Sequence, residues 1–175
     1  PVYQPSRFMS LAKTLGEVPV ITAALGPVAG LPASRLVASH FSVMTKSSLV
    51  LIAGPKVVKR ALNLDISKEE LGGHTVHLKS GVINNIAETE EDAFAQIKAF
   101  LSYVPDNAWS FPKKITPFDN EDRCEDELLN IIPKDKRKPY NMRKVIGLIL
   151  DLNSQETNFF EIGRKFGPSL ITGLG

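Results

Sequence analysis

Apolar runs in the first half of the chain alternate with glycine turns and helix-forming segments. Three runs predict buried strands, at residues 18–25, 41–44 and 48–53. The first run ends at Gly26-Pro27 and the third at Gly54-Pro55. Helices are predicted over residues 32–39 and 56–62, where helix-favouring side chains follow a proline that suits the first helical turn. The order strand, glycine turn, helix therefore occurs twice.

A longer helix is predicted between Thr89 and Pro105. Thr89 has the side chain of an N-cap, and the acidic residues after it suit the positive end of the helix dipole. Apolar residues recur at helical spacing and predict the face that packs on the core. They are Phe94, Ile97, Leu101 and Val104. Pro105 ends the helix, because proline cannot continue the hydrogen-bond pattern.

Residues 67–77 combine a helix-capping motif with two histidines. Ser67 and Glu70 have the spacing of a capping box, and Gly72-Gly73 is predicted to end the short helix that they begin. His74 and His77 could form a metal-binding pair, but no third ligand lies nearby in the sequence. A structural or solvated role is the favoured interpretation for both, and no metal site is predicted.

The composition changes after Pro105. Prolines and charged side chains concentrate over residues 106–139, which is typical of a linker that crosses a surface. Further elements are indicated by an amphipathic helix pattern at residues 142–152 and apolar runs at 159–162 and 169–172. A boundary between two domains is therefore expected between Pro105 and Tyr140.

Composition and charge exclude several classes of protein. The 175 residues are 43% hydrophobic and 23% charged, close to ordinary globular usage. A net charge of +2 offers no electrostatic argument for nucleic-acid binding. The single cysteine, Cys124, can form neither an internal disulfide nor a cysteine-pair zinc site. No apolar stretch approaches the roughly 20 residues of a membrane-spanning helix.

The last apolar run stops at the end of the chain, before any partner strand could follow it. Because the backbone of a strand needs partners for its N–H and C=O groups, we expect this chain to be a segment of a longer protein. A complete small domain with a processed N-terminus is the alternative.

The turn between the first strand and the first helix is the most informative place for chemistry. A glycine turn before a helix leaves backbone N–H groups directed at one point, where they could hold an oxyanion or another anionic group. Gly26, Gly30 and Pro32 provide this pattern. The alternative is an ordinary tight turn in which glycine only permits the backbone angle, and spacing alone favours it.

Several motifs in a fixed order resemble one family. They are Gly26-Pro27-Val28-Ala29-Gly30, Phe41-Ser42-Val43-Met44, Ala53-Gly54-Pro55-Lys56-Val57-Val58, Glu70-Leu71-Gly72-Gly73 with His77 and Ser80-Gly81-Val82, Leu101-Ser102-Tyr103-Val104-Pro105, Pro139-Tyr140-Asn141-Met142, and Phe166-Gly167-Pro168-Ser169-Leu170-Ile171-Thr172-Gly173. Together they resemble the carboxyltransferase of a biotin-dependent acyl-CoA carboxylase, of the propionyl- or methylcrotonyl-CoA carboxylase β-subunit type. The ordered set covers nearly the whole chain and is far more specific than any one motif.

This resemblance implies an α/β fold of the crotonase-like (ClpP/crotonase) kind, a spiral of ββα units. Residues 1–110 would be the second half of an N-terminal carboxyltransferase domain that binds acyl-CoA. Residues 111–139 would be a linker, and residues 140–175 would begin a C-terminal domain that binds biotin.

The resemblance also implies the reaction and its partners. Family members transfer a carboxyl group from carboxybiotin to the α-carbon of an acyl-CoA through an enolate. Biotin would be carried by a partner biotin carboxylase or carboxyl carrier subunit, not covalently by this chain. The active site would form between subunits of a homo-oligomer, at least a dimer and commonly a hexamer. The compartment would be the cytoplasm, or the mitochondrial matrix in a eukaryote, with no nucleic-acid partner and no membrane insertion.

By the same resemblance, the backbone N–H groups of Gly30 and Leu31 would form an oxyanion hole. Substrate-binding positions would be Ala29, Pro32, Gly54, Gly72 and Gly73. For the last three, a tight-turn structural role is an equal alternative. The commoner pattern has two consecutive glycines where this chain has Gly30-Leu31, and Leu31 could narrow the pocket without removing a backbone donor.

Three alternatives to a carboxylase remain open at this point. A biotin-dependent decarboxylase would run related chemistry in the opposite direction. A non-catalytic homologue could serve as an assembly scaffold, because Leu31 stands in the predicted site where the commoner pattern has a second glycine. A hydratase or isomerase of the crotonase superfamily would need an acidic catalytic residue, and the turn at Gly30 contains none.

Overall fold

The computed structural model describes residues 6–114, 116, 118–120, 122–153, 156–163 and 170–175. Its helices are α1 (Arg7–Glu17), α2 (Leu31–Val37), α3 (Pro55–Leu62), α4 (Lys68–Gly72), α5 (His74–Ser80), α6 (Glu90–Tyr103), α7 (Leu128–Ile131) and α8 (Met142–Ile149). Its strands are β1 (Ile21–Ala24), β2 (Pro27–Ala29), β3 (Phe41–Thr45), β4 (Leu49–Leu51), β5 (Asn85–Ala87), β6 (Leu152–Asn153), β7 (Glu156–Thr157), β8 (Phe160–Ile162) and β9 (Thr172–Leu174).

Two parallel sheets organise the first half of the chain. Strand β3 lies between β1 and β5 in a three-stranded sheet, whereas β2 pairs with β4 in a second sheet. The chain passes from the first sheet to the second and then into a helix, and it does so twice, as β1-β2-α2 and β3-β4-α3. This repeated ββα order agrees with the α/β, crotonase-like fold that the resemblance implied.

Strand β2 replaces part of the predicted turn. The runs at residues 18–25, 41–44 and 48–53 do contain strands β1, β3 and β4, as predicted. Residues 27–29, however, pair in parallel with Leu49–Leu51 and are not simply a turn. A strand of three residues that begins at Pro27 and ends before Gly30 is too short to carry a periodic pattern, so only the partner strand, about 20 residues later, defines it as a strand.

Strand β3 is the centre of the core, and all five of its residues are buried. Successive side chains of a strand point to opposite faces, so β3 contributes to two clusters. Met44 packs with Leu36 and Val50 on one face. Phe41 and Val43 pack on the other face, where helix α6 covers the sheet. A central parallel strand covered on both faces explains why even its polar residues, Ser42 and Thr45, are buried.

Helix α6 packs on this sheet through a face that differs from the predicted one. Phe100 is buried, and its ring stacks on Phe41 with the centroids 4.9 Å apart. The predicted members that do pack there are Ile97 and Val104. Phe94 and Leu101 are 48% and 43% exposed, so their prediction as core residues is wrong. The fit of Phe100 on Phe41 rotates the helix so that these two side chains lie outside the buried stripe.

Helices α1 and α5 have no counterpart among the predicted elements. Helix α1 begins after Ser6, whose hydroxyl accepts a hydrogen bond from the Met9 N–H at 3.3 Å. None of its residues is buried, and its end is held by the Ala108 N–H, which donates to the Glu17 carbonyl at 2.9 Å. Helix α5 begins directly after α4, with Gly73 as the cap between the two.

The last described segments return to the first half of the chain. Phe160 in β8 contacts Phe41 edge to face, with ring centroids 5.5 Å apart. The Tyr103 hydroxyl donates to Asn158 Oδ1 at 2.6 Å, and partial burial raises the pKa of Tyr103. Asn85 donates to the Glu161 carbonyl at 3.1 Å through its amide nitrogen. The division into residues 1–110, 111–139 and 140–175 stays a prediction.

Part of the predicted run at residues 169–172 cannot be compared with the structure. Residues 166–169 of the corresponding motif lie outside the described residues. Its final part forms β9, which pairs antiparallel with β8.

We expect the two phenylalanines of α6 to respond very differently to truncation. Phe100→Ala removes a buried ring and should lower the free energy of unfolding by about 3–5 kcal/mol, whereas Phe94→Ala should cost about 0.5 kcal/mol or less. Urea unfolding of the full-length protein measures both. Equal losses would show that Phe94 is buried by a part of the protein outside the described residues.

Candidate functional site

The turn between β2 and α2 has a backbone conformation that requires glycine. Gly30 has φ +68° and ψ −134°, in a region that side chains strongly disfavour. Its N–H donates to the Leu51 carbonyl at 2.9 Å, which extends the β2–β4 pairing by one residue. The Gly30 N–H, one of the two predicted oxyanion donors, is therefore paired within the sheet in this structure, and its role as a donor to substrate stays a prediction.

The Leu31 N–H is the other predicted donor, and its position differs. Leu31 is the first residue of α2, and the first N–H groups of a helix have no acceptor within that helix. Pro32 follows and has no N–H at all. Among the residues that the structure describes, the Leu31 N–H has no backbone acceptor, and it lies at the positive end of the helix dipole. The Leu31 side chain is 44% exposed.

An apolar cavity of about 410 Å³ lies between helix α2, which begins at this turn, and strand β4. Helix α2 contributes Ala33 and Val37 to its wall, and β4 contributes Leu51. Leu71 of α4 and His77 of α5 also line the cavity. Apart from His77, the lining side chains are aliphatic, so the cavity suits an apolar ligand group and offers one titratable side chain.

None of the predicted substrate-binding residues lines this cavity. Ala29 and Pro32 are exposed at the turn itself. Gly54 caps helix α3, and a Cβ there would meet no atom within 4 Å. Three of the residues that line the cavity are instead next to predicted residues in the sequence: Ala33, Ala53 and Leu71. The substrate-binding roles of the five predicted residues stay predictions.

Gly72 and Gly73 have packing roles in this structure. A Cβ at Gly72 would overlap the Val50 carbonyl oxygen and the Leu51 side chain. A Cβ at Gly73 would overlap the Glu69 carbonyl oxygen. A side chain at either glycine would therefore collide with backbone atoms, and the predicted role of both in substrate binding stays a prediction.

His77 is the side chain that the sequence analysis left outside the site. It is buried, and its Nε2 lies 2.9 Å from the Val50 carbonyl oxygen. Within the described part of the chain, its Nδ1 is buried without a hydrogen-bond partner. The spacing from Gly72-Gly73 to His77 is visible in the sequence, but only the tertiary contact shows what the histidine binds.

Helix α4, which ends at Gly72, begins with a capping box, as predicted. The Glu70 N–H donates to Ser67 Oγ at 3.2 Å, and the Ser67 N–H donates to the Glu70 carboxylate at 3.0 Å. The Ser67 hydroxyl also donates to this carboxylate at 2.6 Å, and these bonds lower the pKa of Glu70. The capped helix packs against β4 and brings Gly72 to it.

Neither metal ligands nor membrane-spanning helices are found in the ranges that the structure describes. No three His, Cys, Asp or Glu side chains come together there as a metal site. None of the helices in those ranges has the length and apolar character needed to cross a membrane.

The chain matches known proteins along almost its whole length. Residues 6–175 match the family model described as the carboxyl transferase domain. The propionyl-CoA carboxylase carboxyltransferase subunit of Haloferax mediterranei is 36% identical over 162 residues, which are 91% of this chain and 31% of that protein. The mitochondrial propionyl-CoA carboxylase beta chain of Homo sapiens is 33% identical over 169 residues, 95% of this chain and 31% of that protein. The chain thus spans about a third of the length of these relatives.

Solved structures show the same similarity. The transcarboxylase 12S structure, a hexamer assembly with hydrolysed methylmalonyl-CoA bound, has a TM-score of 0.85 at 31% identity. The match covers 95% of this chain and 32% of that one. A single-chain, multi-domain long-chain acyl-CoA carboxylase has a TM-score of 0.70 at 20% identity over 95% of this chain and 15% of its own, which supports the fold alone.

The packing role of Gly72 can be tested with a matched pair of substitutions. Gly72→Ala places a methyl group against the Val50 carbonyl and should destabilise the protein by about 1–3 kcal/mol or more. Gly16→Ala, in α1 with open space around it, should instead stabilise by about 0.5–1 kcal/mol. Urea unfolding of the full-length variants gives both values. A neutral Gly72→Ala variant would contradict the close approach.

Proposed function

Since this chain belongs to the carboxyl transferase family, we propose that it is part of the carboxyltransferase component of a biotin-dependent acyl-CoA carboxylase. In this reaction a carboxyl group moves from carboxybiotin to the α-carbon of an acyl-CoA. The family match over residues 6–175 and the names of the relatives support the proposal.

The Leu31 N–H, beside an apolar cavity, is the structural observation that carries this proposal. Loss of the α-proton converts an acyl thioester into an enolate, whose oxygen bears negative charge. A fixed N–H donor in a site that excludes water stabilises such charge, because no reorganisation is needed when it develops. We assign this donation to Leu31 alone, since the Gly30 N–H is bound to the Leu51 carbonyl.

The cavity of about 410 Å³ is proposed to take the acyl group. Its aliphatic wall has no group that would hydrogen-bond a polar substituent except His77. The exposed Ala29 and Pro32 are proposed to flank the pantetheine path, and Gly54, where a Cβ would meet no atom within 4 Å, is proposed to shape the pocket by backbone approach. The half-exposed Leu31 side chain would narrow the entrance and so influence which acyl group enters.

Biotin enters this proposal only as the carrier of the carboxyl group. When bound to a partner carrier subunit, it supplies an activated carboxyl group to the acyl-CoA. We assign no biotin-binding residue within the described ranges, and we place the biotin ligands in the later domain that the family resemblance implies.

The proposed assembly is a homo-oligomer, at least a dimer, that acts with a biotin carboxylase or carboxyl carrier subunit. The hexameric transcarboxylase 12S neighbour supports the homo-oligomer. We propose a cytoplasmic location in a prokaryote or the mitochondrial matrix in a eukaryote, and the human relative is named as mitochondrial.

The direct test measures acyl-CoA-dependent loss of carboxyl from a carboxybiotinylated carrier, using the full-length protein. Product formation in proportion to acyl-CoA is expected. Carboxyl transfer only in the reverse direction would favour a decarboxylase. A folded full-length protein that binds acyl-CoA or its carrier but transfers nothing would favour a scaffold.

The assigned donor is tested by removing one backbone N–H. Leu31→Pro deletes it at the first helical position, where proline is tolerated, and should lower kcat by about 10²- to 10³-fold. Leu31→Ala keeps the N–H and removes only the side chain, so its kcat should exceed that of Leu31→Pro by about the same factor, whatever the change in acyl-group preference. Equal activity of both variants would exclude the Leu31 N–H as an oxyanion donor.

A further inference from the structure

Strand β4 forms hydrogen bonds through backbone carbonyl groups on both of its sides. Its register with β2 pairs Ala29 with Leu51, and the Leu51 carbonyl accepts the Gly30 N–H at 2.9 Å. Successive carbonyl groups of a strand point to opposite sides, so the Val50 carbonyl points away from β2. Val50 is only 4% exposed, and a buried carbonyl group requires a hydrogen-bond donor.

His77 provides that donor from outside the sheet. Its Nε2 lies 2.9 Å from the Val50 oxygen, and a carbonyl oxygen can only accept, so Nε2 carries the proton. In the neutral ring, Nδ1 then has a free lone pair, and it is buried without a partner among the residues described. A buried unpaired acceptor is unfavourable. Packing alone therefore does not explain why a histidine lies here, since an apolar side chain could fill the same space without this cost.

Gly72 makes the approach possible. A Cβ at this position would overlap the Val50 oxygen that His77 binds and the side chain of Leu51. The last residue of α4 and the middle of α5 therefore meet β4 at the same carbonyl group. This gives a physical reason for the glycine pair and the histidine that follows it.

We infer that His77 is a positioning residue for the Leu31 N–H. It holds the Val50 carbonyl, the next carbonyl along β4 holds the Gly30 N–H, and Gly30 sets the direction of the peptide that contains the Leu31 nitrogen. Both hydrogen bonds come from adjacent residues of one short strand, so releasing one side of β4 loosens the other. The inference deepens the proposed function and rests on it for its catalytic meaning.

A matched pair of variants tests this role in the full-length protein. His77→Gln keeps an N–H donor near the position of Nε2, whereas His77→Met has a similar length and volume but no donor. Both residues are good helix formers, so α5 should tolerate either. The Met variant should lose about 10- to 100-fold in kcat with a nearly unchanged KM for acyl-CoA, and the Gln variant should restore most of the kcat.

Other kinetic outcomes overturn the inference. A raised KM with unchanged kcat would mean that His77 contacts substrate in the cavity. If the Met variant does not fold, the kcat of the Gln variant tests the inference. A large loss of kcat in the Gln variant would contradict the role of His77 as a hydrogen-bond donor to the Val50 carbonyl.

A structural measurement separates this inference from the proposed function. Amide hydrogen exchange at single-residue resolution should show faster exchange of the Gly30 N–H in the Met variant and normal exchange in the Gln variant. Unchanged exchange in the Met variant would overturn the inference whatever the activity. Faster exchange in a protein that transfers no carboxyl group would support the positioning contact and refute the proposed reaction.

Discussion

The pairing of strand β4 on both of its sides is the constraint on which the candidate site depends. On one side the Leu51 carbonyl holds Gly30, and on the other the Val50 carbonyl is held by His77. A strand of three residues has few hydrogen bonds, and each buried one must be satisfied. The direction of the β2–α2 turn, and with it the Leu31 N–H, follows from these two contacts.

The site consists of a backbone N–H donor and an aliphatic cavity. This explains at which positions of the turn a side chain can be tolerated. Gly30 has a positive φ and cannot carry a side chain without strain. Leu31 is already helical and half exposed, so its side chain can differ from glycine while the N–H stays in place. The departure from two consecutive glycines therefore affects the space beside the donor and leaves the donor itself intact.

Long-range contacts connect this site region to the rest of the chain. Strand β3 contributes to both clusters of the core, with Met44 on the side of β4 and Phe41 on the side of helix α6. Phe160, more than a hundred residues later, contacts the ring of Phe41 edge to face, and Phe100 stacks on the same ring. Asn85 adds hydrogen bonds to the Glu161 carbonyl and the Gly163 N–H. Phe160 and Ile162 thus share the core on which the site is built.

The sequence by itself determined the features that depend on neighbouring residues. Buried strands follow from apolar runs, the capping box from Ser67 and Glu70, and the helix after Thr89 from its cap and spacing. The ordered motifs predicted the family and the ββα fold. Only the tertiary structure decided strand β2, the face of α6, the pairing of the Gly30 N–H and the contact of His77 with Val50. Each of these depends on which distant segment supplies a partner, and local composition does not contain that information.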